Sequence, residues 1–165
     1  MDKWSNFHIT VNFNRRDYEL IPAMREAIER MAEEPDIWRW LKHYSGGEQV
    51  DFEQGTKHDI HRVRIRAVFE DRGTQNHGVH AHILIEVYHT TLVQVNKRGL
   101  CEMFEEIVGY KPNMHCRFVR GDGESKDFIL HYITKEVPAV KARDPQNERL
   151  RVAFAGAREE VEAEY

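Results

Sequence analysis

The sequence predicts an α+β fold: a central, mostly antiparallel β-sheet flanked by helices. Three observations predict it. Residues 7–13, 60–70 and 79–88 alternate apolar and polar side chains with period two, the pattern of half-buried strands. Leu20, Ala23, Met24, Ala27, Ile28 and Met31 recur at i, i+3, i+4, which gives a helix one apolar face. The whole chain then reads β-α-α-β-β-α-β-α, an order that suits a mixed architecture rather than repeated parallel crossovers.

Each element has a local reason. FHITVNF at 7–13 is the first strand, and the helix over residues 20–31 is interrupted by Pro35. Asp36 is placed to cap a second helix carrying Ile37, Trp40, Leu41 and Tyr44, closed by Ser45-Gly46-Gly47. IHRVRIRAVFE at 60–70 is a strand, 71–78 a loop with two glycines and an asparagine, and VHAHILIEVY at 79–88 the strongest strand signal. Residues 92–108 suit a helix, closed by Gly109 and Pro112, and 114–119 a short strand. After the turn Gly121-Asp122-Gly123, Ser125 is placed to cap a last helix over about 126–136, stopped by Pro138.

At 165 residues the length suits one compact domain, read here as residues 1–137. Residues 138–165 have few large apolar side chains and read as a C-terminal linker or tail, with a helical pattern from Asn147. An apolar fraction of 41% excludes general disorder, and no apolar run is long enough to span a membrane. No secretory signal is visible at the start, and 2 cysteines, Cys101 and Cys116, make no disulfide framework, so an intracellular setting is expected. The net charge of -4 excludes nucleic-acid binding by the overall field; such binding would need a local patch. Arg62, Arg64 and Arg66, on one face of the second strand, are the candidate patch for DNA phosphates, although a solvated face would look the same.

The chemistry starts at His80-Ala81-His82. Alternation in a strand puts both imidazoles on one face, roughly 7 Å apart at Cα, where they can converge on one metal ion. Ala81, Ile83, Ile85 and Val87 supply the opposite, core-facing side. If strands 60–70 and 79–88 pair as a hairpin, Glu70 comes near the histidines; Asp71 has the wrong parity unless the strand bulges. Glu86 has the right parity but lies roughly 13 Å further along. Two histidines and a carboxylate suit Mg²⁺ or Mn²⁺ as well as Zn²⁺. On the last helix Tyr132 and Lys135 are i, i+3 neighbours, and a tyrosine beside a cation is a workable nucleophile toward a metal-polarised phosphodiester. The bland reading of Tyr132 is a core aromatic packed with Phe128 and Ile129. His77, His89, His115 and Cys116 match no common zinc-finger spacing.

In their order along the chain, FHITVNF at 7–13, His80-Ala81-His82 and Tyr132-Ile133-Thr134-Lys135 resemble the motifs of the HUH endonuclease domain of rolling-circle replication initiators, especially viral ones. The likeness spans most of residues 7–136 and departs from the family in a longer gap between Glu70 and His80 and in a helical insertion over 20–44. The resemblance implies that His80 and His82 bind a divalent cation, Mn²⁺ or Mg²⁺, with Glu70 as third ligand. It implies that Tyr132 becomes linked to a DNA 5′-phosphate while Lys135 positions or activates it. It further implies an origin hairpin or other single-stranded DNA as partner, and the host nucleus as location if the source is a eukaryotic virus. Members of that family often carry a C-terminal helicase domain; with no phosphate-binding loop of the G-x-x-x-x-G-K-[ST] type here, the chain reads as either a small stand-alone initiator or the nuclease piece of a longer protein, and the linker-like tail favours the second, with the helicase domain outside this chain. Two alternatives stay open: a single-tyrosine transposase of the same chemistry, against which Lys135 counts, and a non-catalytic nucleic-acid-binding domain.

Overall fold

A computed structural model describes residues 3–15, 19–45, 48–49, 60–70, 80–90, 92–119 and 161–164. The elements are β1 (Lys3–Asn12), α1 (Leu20–Met31), α2 (Ile37–Trp40), β2 (Leu41–Ser45), β3 (Glu48–Gln49), β4 (Ile60–Glu70), β5 (His80–His89), β6 (Leu92–Val95), α3 (Lys97–Val108), β7 (Asn113–Val119) and β8 (Val161–Glu164). The class is α+β, with antiparallel pairing in both sheets.

The larger sheet has the strand order β7-β1-β5-β4-β8, so β5, the strand of the histidine pair, is central. One face of this sheet is apolar. Phe7, Ile9 and Val11 of β1, Val63, Ile65, Ala67 and Phe69 of β4, and Ala81, Ile83, Ile85 and Val87 of β5 join a single core cluster with both long helices. Helix α1 contributes Leu20, Met24, Ala27, Ile28 and Met31, spaced as the amphipathic pattern requires. Helix α3 contributes Leu100, Met103, Phe104 and Val108. Leu84 and Val119 are buried outside that cluster, because their register puts them on the other face.

Local signals explain the ends of α3. The Asn96 side chain accepts a hydrogen bond from the Gly99 backbone N–H at 3.2 Å, an N-cap. Gly109, at φ 90°, closes the helix in the left-handed conformation that glycine adopts without strain.

Two helices are shorter than the pattern predicts, for one reason. Of residues 36–44 only Ile37–Trp40 forms a helical turn, and of 92–108 only Lys97–Val108 is helical. The remainders become β2 and β6, which pair antiparallel from Leu41↔Val95 to Tyr44↔Leu92 and join β3 in a three-stranded sheet. Trp40, fully buried, anchors this corner by donating its indole N–H to the Met31 carbonyl at 3.0 Å.

The far end of the segment read as a tail returns to the domain. Val161–Glu164 adds to the edge of β4, with Arg64 opposite Glu164 and Arg66 opposite Glu162. The last helix expected over 126–136, with Tyr132 and Lys135, lies outside the described residues, as do Asp71 and the loop that contains it.

Candidate metal centre on the polar sheet face

The second face of the large sheet is polar, and its register can be read as rows. Glu70, His80, Asn12 and Asn113 form one row across β4, β5, β1 and β7. The next row holds Val68, His82, Thr10 and His115; the third, Arg66, Leu84, His8 and Arg117; the fourth, Arg64, Glu86, Asn6 and Val119. Strands β4 and β5 therefore pair as the hairpin that the sequence required for Glu70 to approach the histidines. Glu70 is the direct cross-strand partner of His80.

His80 and His82 face the same side, with ring centroids 5.2 Å apart and planes at 76°. Both are buried, at 3% and 7% exposure, in a face that also buries Asn6, His8, Asn12 and Glu86. His8, from β1, completes a group of three imidazoles: its Nε2 is 3.2 Å from Nδ1 of His82, and the two rings are stacked at 16°. Burial, followed by the proximity of His82 and Arg117, pushes the His8 imidazole down to about 4. His8 is therefore neutral near pH 7 and able to share a hydrogen bond rather than repel its neighbour.

The donor set fits a divalent cation in part. Nδ1 of His82 is committed to His8, so a cation would meet this ring through Nε2, with His8 in the outer shell that orients a ligating imidazole. His80 would supply a second nitrogen, and Glu70 is its register partner on β4. Among the described residues, no group of three His, Cys, Asp or Glu side chains stands ready to hold a metal ion. A complete site would thus require the Glu70 carboxylate or another donor beyond those side chains.

The arginines divide. Arg66 is half-buried and forms an ion pair with Glu86, which is itself 2% exposed. Glu86 shares the face of the histidines by strand alternation but lies two rows along β5 from His82, where Arg66 engages it. Arg62 is exposed, opposite Tyr88, and Arg64 stands opposite Glu86. His89 and His115 lie on opposite faces of the sheet, so they do not join in one zinc site; His89 is buried and hydrogen-bonded to the Ser5 hydroxyl at 2.7 Å. His8 is the residue that sequence reasoning missed. Its signal was there, since His8, Thr10 and Asn12 share the polar parity of FHITVNF, but only the register of β1 against β5 brings it to His82.

No protein-family model matches the chain, and neither the curated proteins nor the solved structures include one similar to it.

Proposed function

We propose that the chain is the nuclease module of a rolling-circle replication initiator: a metal-dependent single-strand DNA endonuclease and strand-transferase of the HUH type. The observation that carries this reading is the register of Glu70 against His80, with His82 two residues along on the same face. That arrangement supports a divalent cation, Mn²⁺ or Mg²⁺, whose chemistry is to polarise a scissile phosphate. The nucleophile is Tyr132. Its phenolate oxygen forms a bond to phosphorus, the bond to the departing 3′-oxygen breaks, and that oxygen takes up a proton. The phosphotyrosyl link preserves the energy of the broken ester, so a later 3′-hydroxyl can reverse the step. Lys135, three residues after Tyr132 in the sequence, offsets the charge of the phenolate.

The test is nicking of a labelled origin-type oligonucleotide with Mn²⁺. The wild type becomes covalently attached to the 5′-phosphate, and Tyr132→Phe neither nicks nor attaches. Nicking and attachment by the phenylalanine variant would remove Tyr132 from the role.

A second reading, a nucleic-acid-binding domain without catalysis, draws support from the burial of His80 and His82 and the lack of a described three-ligand group. It predicts oligonucleotide binding indifferent to EDTA and no cleavage with any divalent ion.

A further inference from the structure

The end of the polar face remote from His80 carries an aromatic row. Trp4 of β1 stacks on Tyr88 of β5, with centroids 5.1 Å apart and planes at 26°. His61 stands against the same tyrosine at 5.3 Å. While the histidine end of this face is buried, Trp4 is 41% exposed. Arg62 is opposite Tyr88 and exposed, and Arg64 and Arg117 lie on the same face. Glu86 on this face is ion-paired with Arg66.

We propose that Trp4 and Tyr88 form a stacking subsite for unpaired bases of a single-stranded nucleic acid, with Arg62 meeting the adjoining phosphate. A cross-strand aromatic pair stabilises a sheet by itself. That role does not call for a large open indole surface amid cationic side chains. Bases present flat π-faces and carry a phosphate on each repeat, so exposed rings and guanidinium groups on one sheet face match both parts of the ligand. Stacking does not depend on which base is present, so the subsite would grip the strand without reading it. Tyr88 lies six residues beyond His82, about 20 Å along the strand. This subsite thus rests on the proposed nuclease reading for one point only: that the held strand leads toward the histidines.

The experiment is intrinsic fluorescence of the full chain, titrated with oligothymidylate in EDTA so that no cleavage occurs. Trp38 and Trp40 are buried, at 6% and 0% exposure, so surface quenching reports on Trp4. The single strand is expected to quench emission, and a duplex of equal length is not. By anisotropy of a labelled oligonucleotide, Trp4→Ala and Tyr88→Ala each weaken binding about tenfold. Trp4→Phe, which keeps a ring and the sheet packing, restores most of the affinity. Binding that leaves Trp4 emission unchanged, equal quenching by duplex, or no binding at all overturns the subsite. A chain that is quenched by the strand but never nicks it with Mn²⁺ keeps the subsite and loses the nuclease. A chain that nicks with unaltered KM after Trp4→Ala keeps the nuclease and loses the subsite.

Discussion

His8 and His82 are joined across the two central strands by a 3.2 Å contact between Nε2 of the first and Nδ1 of the second. They are not direct cross-strand partners, since His8 is opposite Leu84 and His82 opposite Thr10; the contact is diagonal. Diagonal neighbours on one face of a sheet are within reach of side chains this long. The contact links the first strand motif to the histidine pair.

Burial of His8, followed by its proximity to His82 and Arg117, makes the fold acid-sensitive. The His8 pKa falls from the ordinary 6.5 to about 4 on folding. Between those values the unfolded chain binds a proton that the native chain does not, so the neutral form's contribution is whole above about pH 6.5 and declines as pH falls toward 4. Urea midpoints of the metal-free protein, taken from pH 7.5 to 4, are expected to drop through this window. His8→Gln is expected to flatten the drop, and an undiminished slope in that variant would assign the acid loss to other groups.

The Arg66–Glu86 pair is structural before it is a phosphate contact. Glu86 is 2% exposed, and Arg66→Met would leave its carboxylate buried without this partner. Losing one charge-assisted hydrogen bond of this kind costs about 1.5–3 kcal/mol. Urea denaturation of Arg66→Met should show a loss of that order, while the exposed Arg62→Met stays within about 0.5 kcal/mol of wild type.

Gly99 is required by close packing between α3 and α2. A Cβ there would stand 2.1 Å from the Arg39 carbonyl oxygen, a backbone atom that cannot swing away. Gly99→Ala should therefore destabilise by about 2 kcal/mol although alanine is the better helix former. Thermal melting checks this, and an unchanged or raised Tm would contradict the packing.

Metal binding offers the most direct check on the candidate centre. Calorimetry with Mn²⁺ should show one site whose affinity falls in His80→Ala, His82→Ala and Glu70→Gln alike. Each loss should exceed the about 10- to 100-fold typical of outer-shell partners. Retained affinity in Glu70→Gln would move the third ligand elsewhere, and retained affinity in His80→Ala would dismiss the centre.

Period-two alternation over 60–70 and 79–88 was enough to read β4 and β5, and the i, i+3, i+4 pattern enough to read α1, because in each a single buried face dictates the residue order. The same rule failed at Leu41–Ser45 and Leu92–Val95. Short mixed segments fit a helix or a strand equally well, and pairing between segments some fifty residues apart chose the strand. The sequence by itself determined that His80 and His82 share a face, since alternation within one strand needs no partner. Only the tertiary structure decided that Glu70 stands opposite His80, that His8 reaches His82, and that Arg66 belongs to Glu86. These are facts of register between strands, set by the burial of the apolar face as a whole, and no local pattern contains them.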